Sequence, residues 1–298
     1  MAKPSSSCAA GRRHPARGAG AAVALLLLTC LTGCPPPTER VPLDPIAMER
    51  AIGIVNANAD RLTTCLKAEG DAACRFRTPD GKHYQSDLRG VLVVIPPRHL
   101  YGTLQSGLGT REILLGSDDE QYWLHVERDD DTLRYGHYSA LEDEPVSSLP
   151  LRPDQVIEAL GLNPLPVDTR GHLGPVQRIA DAHQQLLFLT YDPTGQGIIR
   201  KEYWLDRHEP RLVRRILFRD ALGRVAMDSL LDDHRRPEEG APMLPHRVRI
   251  AWPLEEATLD FRIRTWNPMP DRTTDHPAFV PPHERDPGAF RNIIDLDQ

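Results

Sequence analysis

The sequence has 298 residues, with 36 lysine and arginine side chains against 42 aspartate and glutamate side chains, which gives a formal net charge of −6. Binding of a nucleic acid needs clustered positive charge, whereas basic and acidic residues alternate along this chain, so nucleic acid is excluded as a partner. The length suffices for one large β-domain or two small ones with a substantial buried core, and we favour a single domain.

Residues 1–33 have the order of a secretory signal peptide. The first 17 positions contain basic residues and no acidic ones, and the apolar stretch 21–28 follows them. This stretch is too short to remain in a membrane as a permanent spanning helix. The chain is therefore predicted to be exported.

The segment Leu31-Thr32-Gly33-Cys34 resembles the lipobox of bacterial lipoproteins. The resemblance implies cleavage before Cys34 and attachment of acyl chains to this cysteine. Burial of an acyl chain contributes about 0.8 kcal/mol per methylene, and stable anchoring needs more than one chain. Cys34 is thus the predicted lipid attachment site, and a membrane is its partner. The alternative is an ordinary signal peptide in which the cysteine is incidental.

A proline-rich, polar stretch at residues 34–45 is predicted to form an extended tether. From Ile46 onward, apolar residues recur at three- and four-residue spacing, which predicts a helix that ends at Gly70. The apolar face of this helix would contain Ile52, Val55, Ala59, Leu62 and Leu66, and polar residues such as Asn56 and Asn58 would occupy the other side.

Two cysteines, Cys65 and Cys74, remain after removal of the signal peptide and acylation of Cys34. An even pair in an oxidising compartment suggests a disulfide, here between the end of the helix and the first strand. Closure of so short a loop would stabilise the fold by roughly 2.5 kcal/mol in the chain-entropy model. The alternative is two buried free thiols, because the sequence does not give the separation of the two residues.

Short apolar or alternating segments with turn residues between them predict strands along most of the remaining chain. In the first half they are residues 76–78, 82–86, 91–95, 113–115, 121–127 and 133–138. A short helix is predicted at residues 153–162, with Pro153 in its first turn and Gly161 near its end. In the second half, strands are predicted at residues 176–179, 186–191, 198–205, 212–218, 225–231, 246–252 and 257–265.

This spacing is typical of an antiparallel meander and not of alternating strands and helices. In the last two strands apolar and charged side chains alternate, so one sheet face is dry and the other wet. With only two helices available, the dry face of a strongly curved sheet is either covered by the helices or left as a cavity. The predicted fold class is therefore mainly β (α+β), followed by a proline-rich tail at residues 268–298 that lies over the sheet edge or is loose.

The order of lipobox, tether, helix and meander along the chain resembles that of the outer-membrane lipoprotein-sorting family of LolA/LolB type. The similar segments are residues 54–59, 116–124, 203–205 and 244–248, and the match covers residues 46–267. The resemblance implies an open antiparallel half-barrel with a helical lid and an apolar interior that holds acyl chains. Cys34 places the chain nearer the receptor-like or lipid-binding lipoproteins, and Pro35 in place of an aspartate favours, by analogy, the outer membrane.

No sequence motif indicates catalysis, a metal site or a cofactor. We find no metalloprotease, paired-cysteine, nucleophile-elbow or phosphate-loop pattern. His125 and His137 are better interpreted as partly exposed strand residues than as ligands, and the acidic clusters 118–120 and 129–131 as solvated turns. The four tryptophans either line a ligand cavity or fill the core; they are Trp123, Trp204, Trp252 and Trp266.

Two functional hypotheses remain, neither of them enzymatic. In the first, this is a periplasm-facing lipoprotein that binds an acyl chain, a lipid or a lipidated protein in an apolar cavity. The predicted cavity residues are Tyr122, Leu124, Val126, Val248, Ile250, Trp252, Leu259, Phe261 and Ile263. In the second, the core is filled and the chain is a structural or assembly lipoprotein that contacts an envelope protein through its rim and tail.

Overall fold

The computed structural model describes residues 43–77, 81–127, 131–140, 152–165, 173–191, 194–286 and 288–297. The predicted signal peptide, the lipid attachment site Cys34 and most of the predicted tether lie outside these residues. Residues 42–298 form one compact unit.

Fourteen strands of the described chain form a single sheet, in the order β14-β6-β5-β4-β3-β2-β1-β13-β12-β11-β10-β9-β8-β7. Every neighbouring pair is antiparallel except β14 and β6, which are parallel. The strands are β1 (Cys65–Arg77), β2 (His83–Ile95), β3 (His99–Gln105), β4 (Arg111–Ser117), β5 (Gln121–Val126), β6 (Thr132–His137), β7 (Leu173–Ala180), β8 (His183–Tyr191), β9 (Gly197–Asp206), β10 (Val213–Arg219), β11 (Val225–Arg235), β12 (Leu244–Trp252), β13 (Ala257–Met269) and β14 (Asn292–Asp295).

Three α-helices accompany the sheet in the described residues: α1 (Met48–Ala59), α2 (Pro153–Ala159) and α3 (Pro282–Arg285). Short 3-10 turns lie at Pro253–Glu255 and Pro277–Phe279. The predicted fold class is confirmed, because one large open antiparallel sheet, consistent with a curved half-barrel, carries an N-terminal helix and a short second helix. We call the face that packs against α1 and α2 the inner face.

The first predicted helix is shorter than expected. It ends at Ala59, and Leu66 belongs to β1. The reason is that every second residue of β1 from Leu66 to Phe76 is buried, which is the period of a strand and not of a helix. The helical spacing of Leu62 and Leu66 is therefore coincidental, and sheet pairing with β2 and β13 determines the conformation.

The predicted disulfide between Cys65 and Cys74 is wrong, since both cysteines are free. They lie in the same strand, where nine residues span about 30 Å, far beyond the separation that a disulfide bridges. Cys74 faces the inner core, whereas Cys65 packs with Val93 and Phe279 in a separate cluster. Burial raises the pKa of both thiols, that of Cys74 to about 11.

Two asparagine side chains hold helix α1 in place. The sequence predicted that they lie on the polar side of the helix, but it did not predict their bonding partners. The Asn58 side chain donates to the Met243 carbonyl (3.0 Å) and accepts from the Met243 amide (2.8 Å). Asn56 makes the same pair of bonds with Leu165, at 3.1 and 2.7 Å. Ala51, Ile52 and Val55 of the opposite side are buried in the inner core. Apolar burial and these four hydrogen bonds together fix α1 on the sheet.

The C-terminal segment covers the outer face of the sheet. Phe279 packs on Cys65 and Val93, and Phe290 packs on a second cluster of Leu114, Trp123 and Leu133. The chain then adds β14 beside the edge strand β6. The tail was expected to lie over the sheet edge or to be loose. The structure places it at the edge as strand β14 and also across the outer face.

We predict that Phe279→Ala lowers the free energy of unfolding by about 3 kcal/mol, because it empties a buried aromatic site on the outer face. The neighbouring Val280 is 37% exposed, so Val280→Ala is the matched control and should change stability by less than about 0.5 kcal/mol. Urea unfolding of the mature protein measures both. Equal midpoints for the two variants would show that the tail does not contribute to the fold.

Candidate functional site

The nine predicted cavity residues all lie in one apolar cluster on the inner face. Seven of them are at most 3% exposed, and Val126 and Leu259 are partly buried against the same cluster. Residues of α1 and α2 belong to this cluster as well, so both helices pack onto the sheet. The structure thus places the nine residues in the same buried apolar cluster as the inward-facing residues of both helices.

Helix α2 is attached to the inner face by polar bonds within this apolar surrounding. Lys201 of β9 donates to both carboxylate oxygens of Glu158 at 2.8 Å, and the Tyr203 hydroxyl donates to the same carboxylate. The Ser229 hydroxyl donates to the Ala159 carbonyl at 2.7 Å. Complete burial, together with the charge of Glu158, raises the pKa of Tyr203 well above its ordinary value, so this hydroxyl stays protonated and donates.

A cleft of about 690 Å³ opens at the end of the sheet where β1 begins and where β2 and β13 end. The residues that surround it come from the end of α1, the turn after β2, the chain after α2 and the turn after β13. They are Ala59, Asp60, Leu62, Thr63, Thr64, Cys65, Ile95, Pro96, Pro97, Leu162, Pro164, Pro270, Arg272, Thr273 and Thr274.

The lining of this cleft contains both apolar and polar residues. Leu162 belongs to the inner core, and Leu62 packs against this core. The apolar part of the cleft is therefore continuous with the cluster that contains the nine predicted residues. The polar part consists of threonine hydroxyls and of the charged groups Arg272 and Asp60. Such a lining suits an amphipathic ligand better than a fully apolar one.

The tryptophans divide between the two faces. Trp252 and Trp266 fill the inner core, and the Trp266 indole donates to the Pro245 carbonyl at 2.9 Å. Trp123 lies in the outer cluster beneath Phe290. Trp204 contacts the Arg215 guanidinium, which lies 4.8 Å from its ring centroid. None of the four lines the cleft, so here they fill the core or the outer surface.

His125, Glu127 and Asp131 are the titratable groups that come closest to a ligand set in the described chain, with ligand atoms within 4.8 Å of one another. His125 was expected to be partly exposed, but it is completely buried, and the contacts of the three residues indicate a role in packing. His125 Nε2 lies 2.9 Å from Asp131 Oδ1, and the amide of Arg291 donates to the other oxygen of Asp131. The ring of His125 also lies 5.0 Å from that of Phe290. The cluster fastens the C-terminal segment to the β5–β6 hairpin.

Several solved structures are similar to this chain in fold. One is a DUF1329 family protein from Desulfovibrio piger, with a TM-score of 0.45 and 10% identity over 78% of this chain and 96% of that one. Another is described as an outer membrane lipoprotein-sorting protein domain from Vibrio parahaemolyticus, with a TM-score of 0.44 and 12% identity over 76% of this chain and 94% of that one. A third is a LolA superfamily protein from Nitrosomonas europaea, with a TM-score of 0.43 and 11% identity over 74% of this chain and 95% of that one.

The last two descriptions name the family that the sequence resembles. At 10–12% identity these similarities concern the fold. Neither a protein-family model nor a curated protein matches the sequence.

We predict that Glu158→Ala lowers the free energy of unfolding by about 2 kcal/mol, because it leaves Tyr203 unpaired in the core and Lys201 without its counter-ion. The Lys201 side chain is 38% exposed, which limits the loss. Asp71→Ala is the control, since its ion pair with Arg264 lies on the surface, with both side chains 61% exposed, and its removal should leave stability unchanged. Urea unfolding measures both, and an unchanged Glu158→Ala midpoint would contradict the attachment of α2.

Proposed function

We propose that this chain is a lipid-anchored lipoprotein of the bacterial cell envelope that faces the periplasm, at the outer membrane, and binds an acyl chain without catalysis. The ligand is a lipid or a lipidated protein. The cleft of about 690 Å³ is the observation that carries this proposal, because sites for small molecules measure about 300–1,000 Å³ and are mostly apolar.

The cleft supports entry of an acyl chain toward the inner core. Leu62 and Leu162 form a continuous apolar surface from the cleft to the cluster under the helices. Deeper entry requires that α1 or α2 moves away, since both helices are packed in the same buried cluster as the nine predicted cavity residues. The hydrogen bonds of Asn56, Asn58 and Glu158 then have to break. We propose that the nine residues line the space that this movement creates.

The titratable groups of the cleft favour binding over chemistry. Cys65 is the one thiol of its lining, and burial raises its pKa, which lowers its fraction of reactive thiolate. Asp60 and Arg272 are the charged groups there. The ligand is therefore proposed to be held and released unchanged.

A second candidate function is a structural or assembly lipoprotein. The packing of the inner face favours it, because the nine predicted cavity residues form a filled core in this conformation. In that case the rim and the C-terminal segment would contact an envelope protein, and the cleft would remain unused.

Membrane attachment is proposed to depend on Cys34. No helix of the described residues is both long and apolar enough to span a membrane. We predict that Cys34→Ser abolishes acylation and leaves the precursor unprocessed, whereas the matched variant Cys30→Ser is cleaved and anchored normally. Mass spectrometry of the N-terminus and detergent phase partition measure the two variants. Normal cleavage and unchanged partition of Cys34→Ser would disprove the anchor.

Acyl binding in the cleft can be tested with a photoactivatable hexadecanoic acid added to the full chain in phosphatidylcholine vesicles. We expect crosslinks to peptides that contain residues 59–65, 95–97, 162–164 or 270–274. Thr63→Trp should lower this labelling roughly tenfold, the effect of about 1.4 kcal/mol of lost contact, because its ring occupies cleft volume.

Thr110→Trp is the control for the added ring, because Thr110 is exposed in the turn between β3 and β4 and lies outside the cleft. Its labelling should equal that of the unchanged protein. If cleft peptides are not labelled in any variant, the acyl-binding function is wrong and the assembly function is favoured.

A further inference from the structure

Arg272 of the cleft differs in its charged surroundings from three arginines of β10. Arg214, Arg215 and Arg219 each pair with a carboxylate at 3.0, 2.7 and 2.6 Å. In the described part of the chain no carboxylate lies within ion-pair distance of Arg272, although its side chain is partly buried. A partly desolvated guanidinium without a partner is a site for an anion.

The position of Arg272 is fixed by the turn that follows β13. Its backbone amide donates to the Met269 carbonyl at 3.1 Å, and the amide of His276 donates to the Thr273 carbonyl at 3.1 Å. Burial first, and then the charge of Arg272, lower the pKa of His276. The same charge opposes the effect of burial on Cys65. Arg272 and Cys65, the first residue of β1, thus line the same cleft.

The groups around Arg272 complement an anionic head. Thr273 and Thr274 follow it in the chain, and Thr63 and Thr64 line the cleft from the end of α1, so residues with hydroxyl groups come from two segments. The apolar residues Leu62, Ile95 and Leu162 line the same cleft. One cavity thus combines a cation, hydroxyl donors and an apolar wall.

We infer that the cleft binds an anionic amphiphile, a single acyl chain with a carboxylate or phosphate head, with the head at Arg272 and the chain along Leu62, Ile95 and Leu162. This inference rests on the proposed acyl-binding function and adds the chemistry of the head. The planar guanidinium donates two parallel hydrogen bonds to a carboxylate or a phosphate, which an alcohol or an ester does not accept in the same way.

Asp60 has the opposite effect on an anion. It lines the cleft, its side chain is exposed, and its carboxylate repels a negative head. Removal of this charge should strengthen binding, whereas removal of the Arg272 charge should weaken it. Opposite responses of two residues in one cleft are not expected from a general loss of packing.

The test uses the full chain with its anchor in phosphatidylcholine vesicles and three photoactivatable probes of equal chain length: hexadecanoic acid, hexadecyl phosphate and hexadecanol. We expect the acid and the phosphate to label cleft peptides about tenfold more than the alcohol. Arg272→Gln should reduce the labelling by the acid and by the phosphate to the level of the alcohol. Arg272→Lys should retain part of the difference in labelling between the anionic probes and the alcohol, and Asp60→Asn should increase this difference.

Arg178→Gln is the matched control, since Arg178 is an exposed arginine of the edge strand β7 and lies outside the cleft. Thermal unfolding of each variant checks that the fold is retained. Equal labelling by acid and alcohol, or equal effects of Arg272→Gln and Arg178→Gln, would overturn the anionic head and leave acyl binding intact. Absence of labelling by all three probes would overturn acyl binding itself.

Inorganic phosphate separates an amphiphile site from a simple anion site. We expect millimolar phosphate to leave the labelling by hexadecanoic acid unchanged, because the acyl chain supplies most of the contact area. Full protection by phosphate alone would show that the cleft binds free anions and would overturn the inference.

Discussion

Pairing between β1 and β13 joins the two halves of the sheet, and the rest of the structure depends on it. Strands β2–β6 extend from one side of this pair and β7–β12 from the other. Close approach at the pair requires a glycine, because a Cβ at Gly70 would lie 2.0 Å from the Arg262 carbonyl oxygen. The cleft opens where this pair ends, with Cys65 opposite Met269. A long-range pair thus creates both the continuous inner face and the candidate site.

Apolar cores on both faces explain why the two halves of the sheet differ in sequence pattern. In β12 and β13 the outer face is charged, and Arg247 and Arg249 approach Asp260 at 3.3 and 3.5 Å. In β4 and β5 the outer face is covered by the C-terminal segment, so Leu114 and Trp123 are buried there while Leu115 and Leu124 are buried inside. Alternation between apolar and charged residues is therefore clear only where one face meets water.

Most strands were predictable because alternation and turn residues are local signals, and β8–β13 lie close to the predicted ranges. Strand β3 was missed because Gly102 weakens its pattern, although the packed side chains of Leu115 and Leu92 leave no room for a larger residue there. Strand β14 forms only by pairing with β6.

The cleft was not predicted because its lining comes from four separate segments with no shared motif. The spacing of the cysteines alone did not reveal that both thiols lie in one strand.

The C-terminal cover of the outer face has a consequence for the order of biosynthesis. Residues 277–297 are synthesised after every strand from β1 to β13, yet Phe279 and Phe290 bury Val93, Leu114 and Trp123. A nascent chain that has already formed the joined sheet therefore exposes an apolar outer patch until residues 277–297 dock on it. During this interval the patch is a site for chaperone binding or for premature association with another chain. Docking of residues 277–297 removes this patch from water.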